Sequence, residues 1–183
     1  ALILVPEIAL TVQMVSYFAH HFGDDVVFIH SQLSKGERYN NRMRVERGES
    51  HVIIGSRSAL FMPFRNLRLI VVDEEYDSSY KQDETPRYNG CDLAKVMAVT
   101  YQCPIVLGAA TPSVNTYYAA KTNRISLITM NKRVFETPLP EVSIVDMKQP
   151  QALVQSPLFC DALLHLLKKT VNGGKKAIVF LNR

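Results

Sequence analysis

Three consecutive carboxylates, Asp73-Glu74-Glu75, follow directly on the apolar run Leu69, Ile70, Val71 and Val72. Unbroken runs rich in β-branched residues mark strands covered on both faces, the kind that build parallel sheets. In such sheets ligands gather beyond the carboxyl ends of the strands. Three like charges at that edge repel one another, so a positive group is expected among them. A magnesium ion carrying a phosphate chain meets that need. In that arrangement Asp73 holds the metal, while Glu74 orients a water and takes its proton. The same residues also fit an acidic turn that merely closes a buried strand, and this stretch alone leaves both open.

Three further polar turns follow apolar runs. Pro6-Glu7 has Thr11 and Gln13 close behind it. Gly55-Ser56-Arg57-Ser58 ends a run at 51–54, and GAATPS at 108–113 ends a run at 105–107. Four polar turns at four strand ends describe a functional sheet edge better than any one of them does.

The elements that must position these turns alternate. Strands are expected at 2–5, 26–29, 51–54, 69–72, 105–107, 125–128, 142–145 and 177–181. Apolar residues at helical spacing predict a helix over 8–22, stopped by Gly23. Ser34-Lys35-Gly36-Glu37 is a capping box that opens a helix to Arg47, with Gly48 as its stop. Further helices are expected over 91–101, over 112–120 with Thr111 as N-cap and Pro112 at its first position, and from Ser156-Pro157 to Val171. The stripe Leu158, Ala162, Leu163, Leu166, Leu167 and Val171 is expected to be core. Residues 77–89 show no periodicity and read as a loop. The pattern predicts α/β architecture with a mainly parallel sheet. Thr137-Pro138-Leu139-Pro140 is helix-averse and reads as a linker between a lobe at 1–136 and the start of a second at 137–183.

The 183 residues are 47% apolar and carry a net charge of +4, a modest tilt toward an anionic partner. Cys91, Cys103 and Cys160 form no C-x-x-C pair, which suggests neither a zinc site nor a disulfide framework and fits a reducing cytosol. The five histidines show no ligand spacing. No run approaches the roughly 18–20 apolar residues of a membrane span. The chain opens inside a strand-like run without an initiator Met and closes as another ends, so both ends read as cut from something longer.

Taken in order, LVPEIALTVQ, IGSRSALFMPFRNL, VVDEEYDSSYKQ, PRYNGCDLA, GAATPS and FLNR resemble the motifs of the bacterial primosomal replication-restart helicases, the PriA family of superfamily 2 DNA helicases. The resemblance runs the length of the chain. It implies a RecA-like P-loop NTPase lobe followed by the start of a second such lobe. It also implies an ATP-driven motor unwinding forked or single-stranded DNA 3′ to 5′ alongside replication-restart and primosome proteins in the cytoplasm. Asp73 then matches the ligand of Mg²⁺ on ATP, and Glu74 the general base. Tyr76, Gly108, Thr111 and Ser113 match positions that couple the nucleotide site to DNA. Thr11, Gln13, Ser56, Arg57 and Ser58 match turns on the DNA strand, where hydroxyls, an amide and a guanidinium suit phosphate oxygens. Tyr80, Lys81, Arg87 and Tyr88 match an aromatic-rich loop whose rings could stack on bases. For some of these a structural role is equally at hand: Tyr80 and Tyr88 could pin their loop, Arg57 could bind a carbonyl or a carboxylate, and Thr111 is a good N-cap.

The chain departs from the family at Tyr76, where histidine is usual, at Ala109, where serine is usual, and at Asn89-Gly90-Cys91. All touch coupling rather than Asp73 or Glu74, so weakened or altered DNA stimulation of ATP turnover is expected in the parent protein. The G-x-x-x-x-G-K-[ST] phosphate loop is not in these residues, nor are the family's zinc-binding cysteines, so Zn²⁺ is expected only in the parent. Without that loop and the first strand of its sheet, the chain alone is expected to be inactive, of poor stability and open at one sheet edge. The alternatives are another superfamily 2 translocase, or a non-catalytic lobe that binds nucleic acid or a partner.

Overall fold

The computed structural model describes residues 1–6, 9–132, 140–148 and 159–181. The chain divides into two compact units, Ala1–Ile128 and Thr129–Arg183. In the first unit, strands β1 (Leu2–Leu4), β2 (Val26–Ile29), β3 (Val52–Gly55) and β4 (Ile70–Val72) stand where the apolar runs place them, to within a residue. A short hairpin, β5 (Lys81–Gln82) with β6 (Tyr88–Asn89), occupies the stretch expected to be loop. Strand β7 (Ile105–Leu107) completes the set. Helices are α1 (Val12–Phe22), α2 (Lys35–Arg47), α3 (Gly90–Thr100), α4 (Val114–Lys121) and, in the second unit, α5 (Asp161–Asn172).

The main sheet runs β2-β3-β1-β4-β7 and is parallel throughout. Alternation along each strand builds two cores. Leu2, Leu4, Val27, Ile29, Ile53, Ile70 and Val72 face one side, with Ala59, Leu60, Tyr80, Cys91, Ala94 and Ala98 packed over them. Val26, Val52 and Ile54 face the other, where Met14 and Phe18 of α1 cover them. Leu2, Leu4, Ile54, Ile70 and Val72 are all at 0% exposure. Burying each such side chain contributes roughly 1.5–3 kcal/mol, so the sheet interior holds this unit together.

Register decides the functional edge. Leu4 pairs with Gly55 and with Val72, Val72 pairs with Leu107, and Gly55 pairs with Ile29. All five strands therefore finish level, and residues 5, 30, 56, 73 and 108 emerge together. Gly55 is required there by close packing. A Cβ on it would sit 2.3 Å from the Ile29 carbonyl oxygen and 2.9 Å from Cβ of Ala59.

Several expectations are corrected. The α1 helix begins at Val12, because the Thr11 hydroxyl accepts from the Met14 amide and caps it there. The capping box of α2 is present, with Gly48 left-handed at φ 74°. The N-cap of α4 is Ser113 rather than Thr111. Residues 125–128, 142–145 and 177–181 are not strands. They are apolar enough, but a strand needs a neighbour for its backbone groups, and Ile128, Ile144 and Ile178 stand 87%, 95% and 98% exposed. The α5 stripe has no fully buried residue, and Leu166 and Val171 are exposed. Glu7, most of the expected linker, Ser156-Pro157 and Leu158 lie outside the described residues. Among the described residues no helix is long and apolar enough to cross a membrane.

Candidate functional site

The turn after β4 carries the first site. Its backbone is fixed on both sides: the Asp73 amide donates to Leu4 O at 2.9 Å, and the Gly108 amide donates to Val72 O at 2.8 Å. Immediately beyond, Glu74 adopts φ 48°. A non-glycine residue in the left-handed region costs roughly 1–2 kcal/mol, and such strain concentrates at functional positions. The Glu74 amide donates to Asp73 Oδ1 at 3.1 Å, and the Asp77 amide returns to Glu74 O at 2.8 Å, so the turn is tight.

The three carboxylates meet different fates. Asp73 is exposed, and its Oδ1 accepts from the Glu74 amide, which leaves Oδ2 open to solvent. Glu74 is half-buried, and its Oε2 is buried with no hydrogen-bond partner. Buried polar atoms are rarely left unpaired, and an unpaired one calls for an explanation in function. Glu75 is only 6% exposed and fully engaged. Its Oε1 accepts from the Ser113 amide at 2.6 Å, and its Oε2 from Thr116 Oγ1 at 3.2 Å and Ser113 Oγ at 3.3 Å. Its amide donates to Gly108 O at 3.0 Å, and its carbonyl accepts from Cys91 Sγ at 3.1 Å. Burial, and then the Glu75 carboxylate, push the Cys91 thiol up to about 11.

These residues fit a magnesium–nucleotide pair at Asp73 and Glu74. A magnesium ion needs only one or two protein carboxylates when phosphates supply other ligands. Among the described residues no three His, Cys, Asp or Glu side chains group to hold an ion by themselves. Asp73 is the exposed carboxylate such an ion would meet, and the orphaned Glu74 oxygen lies one residue further on.

Of the coupling residues, Gly108 and Ser113 sit against the acidic turn, since Gly108 approaches Asp73 Oδ1 closely enough that an added Cβ would lie 3.4 Å from it. Thr111 is exposed. Tyr76 is 49% exposed. Glu75 and Thr116 were not singled out from the sequence. The signal available was the acidic run itself and the Ser113-x-x-Thr116 spacing of a helix cap.

The turn after β3 is occupied differently. Ser56 is buried, with its hydroxyl 3.3 Å from that of exposed Ser58. The guanidinium of Arg57 donates to Ser79 O at 3.0 Å and also to Lys81 O. It therefore clamps the segment leading into the β5–β6 hairpin. Tyr80 is 1% exposed, and its hydroxyl donates to Asp73 O at 2.7 Å. Burial, with neighbouring charges second, raises its phenol far above the ordinary range. The expected base-stacking role of Tyr80 is thus corrected: the ring is core and pins the loop. Tyr88 is half-buried and meets exposed Phe61 edge-on at 5.4 Å. Phe61 was missed because exposure of an aromatic is not legible in sequence. Lys81 and Arg87 are exposed and turn toward Asp83, Lys81 by an ion pair at 3.5 Å and Arg87 to its carbonyl at 3.0 Å. Thr11 and Gln13 are exposed at the start of α1.

The chain is similar along its whole length to replication restart proteins PriA. It is 42% identical to that of Bacillus subtilis over 183 residues, covering 100% of this chain and 23% of that protein. It is 36% identical to that of Chlamydia trachomatis, over 100% of this chain and 24% of that one, and 38% identical to that of Synechocystis, over 100% and 22%. The chain thus spans about a quarter of the length of these curated relatives. A solved structure of the C-terminal domain of S. cerevisiae Dbp5 aligns with a TM-score of 0.43 and 13% identity, over 68% of this chain and 70% of that one. Residues 1–119 match the profile described as DEAD/DEAH box helicase, and the chain belongs to that family.

Proposed function

We propose that this chain is part of an ATP-driven 3′–5′ DNA helicase that acts in replication restart at stalled forks, in the cytoplasm and together with primosome proteins. The observation that carries the proposal is the strained Glu74 with its unpartnered buried oxygen beside exposed Asp73 at the common strand edge. The likeness to replication restart proteins across 100% of the chain supports the same reading. A bound Mg²⁺–ATP supplies charge neutralisation at the transferred phosphoryl group, chemistry that depends mainly on positioning and electrostatics. Asp73 would hold the metal. Glu74 would accept a proton from water at its unpartnered oxygen. The Ser58 hydroxyl and the Phe61–Tyr88 pair face DNA, and residues 137–183 form the linker and start of a second lobe.

The test uses the whole protein on a forked duplex with a fluorescent strand. Strand displacement is expected only with both ATP and Mg²⁺, and only from a 3′ single-stranded tail. Tight DNA binding with no nucleotide turnover would replace the motor by a binding module.

A further inference from the structure

Glu75 sits where three elements meet. Its amide is tied to the end of β7 at Gly108, its carbonyl to the first turn of α3 through Cys91, and its side chain to the start of α4. A carboxylate at a helix N-terminus satisfies free amides and complements the helix dipole. The distances are those of a tight contact, 2.6 Å to the Ser113 amide and 3.2 Å to the Thr116 hydroxyl, and the residue is 6% exposed. Ordinary capping comes from a neighbour in the chain. Here the extra acceptor is 38 residues away from the helix it caps. Glu75 also directly follows Glu74, whose φ of 48° makes it the strained residue of the turn.

We propose that Glu75 is the positioning residue linking the nucleotide turn to the 108–116 segment, taking the place that Tyr76 was expected to hold. The inference rests on the motor reading above. Relaxation of Glu74 swings the following peptide, and the Glu75 amide and carboxylate ride with it. Gly108 must then shift or lose the amide that donates to its carbonyl, and the head of α4 must shift or lose the carboxylate that accepts from the Ser113 amide and from the Ser113 and Thr116 hydroxyls. Tyr76, which is 49% exposed, is not needed for this link. Coupling between sites is carried by contiguous hydrogen-bonded contacts of this kind.

The experiment measures ATP turnover of the whole protein with and without forked DNA. Glu75→Ala is expected to lower the ratio of stimulated to unstimulated rate by about tenfold, in the range that packed coupling networks carry. The KM for ATP should stay within about twofold, because uniform binding is untouched. Glu75→Gln, which keeps an acceptor for the Ser113 amide, should restore most of the ratio. Thr116→Val approaches the link from the other side and avoids removing the buried carboxylate. It should lower the same ratio by a few-fold and add little on top of Glu75→Ala, as groups in one network do. Tyr76→His should leave the ratio unchanged. A Glu75→Ala protein that melts earlier but keeps its ratio overturns the proposal, as does full additivity with Thr116→Val. Failure of the unaltered protein to hydrolyse ATP at all instead removes the motor reading, and this inference with it.

Discussion

The turns after β3 and β4 are built from similar material and behave in opposite ways. Both follow buried strands that end level at one sheet edge, and both concentrate polar residues there. After β3 the polar groups are engaged inward: Arg57 holds two carbonyls of the 79–81 segment, and Ser56 is buried beside Ser58. After β4 one carboxylate is fully engaged, one is exposed, and one keeps a buried oxygen without a partner at a strained backbone position. A polar residue at a functional edge is therefore informative by the hydrogen-bonding capacity it has left. On that measure Asp73 and Glu74 keep capacity for a ligand, whereas Arg57 and Tyr80 spend theirs on the fold.

The largest effect that separates the turns is chemical. Glu74→Gln in the whole protein is expected to reduce ATP turnover by about 10²–10⁴-fold, the usual share of a general base. Nucleotide affinity measured by titration should be retained. Turnover within a few-fold of the unaltered protein would make the acidic turn a structural feature like its neighbour.

Next comes the protection beneath the acidic turn. The Cys91 thiol, pushed up to about 11 from an ordinary 9.0, stays protonated at pH 8. Its alkylation there should be about a hundredfold slower than that of an ordinary thiol, since only the thiolate reacts. Half-buried Cys103 is the internal comparison. The sign for stability follows: the folded state favours the neutral thiol, so this contribution is complete below pH 9 and is lost as the pH rises through 11. Equal alkylation of the two cysteines would show that Cys91 is not held under Glu75.

Packing at the β3 turn gives a smaller effect. Gly55→Ala forces a methyl to within 2.3 Å of the Ile29 carbonyl oxygen. It should cost about 1–3 kcal/mol, as overpacking does, read from the midpoint of a urea transition. An unchanged midpoint would mean that β2 and β3 separate easily.

The smallest effect is on DNA affinity. If Arg57 is a clamp, Arg57→Ala should leave the salt dependence of DNA binding unaltered while amide exchange rises across 79–82. A decrease of about one in the slope of log affinity against log salt would return Arg57 to a phosphate contact.

What the amino-acid sequence determines by itself here is local. Apolar runs of the right length place the main-sheet strands to within a residue, because alternation and β-branched side chains act over a few positions. Ser34 with Glu37 and Gly48 bound α2 for the same reason, through contacts three or four residues apart. The acidic turn is legible because a run of carboxylates after a buried strand is conspicuous. Where local signals exist but no partner strand stands alongside among the described residues, as at 125–128 and 177–181, strands do not form, since a ladder takes two. Tertiary structure alone decides which of three adjacent carboxylates is free. Glu75 is satisfied by Ser113 and Thr116, 38 and 41 residues away, and Tyr80 is buried against the backbone of Asp73. Hydrogen-bond capacity is consumed by whatever the fold brings near, and that is set by strand register and helix placement across the whole sheet. The roles of Asp73, Glu74 and Glu75 therefore diverge only once β4, β7 and α4 are assembled.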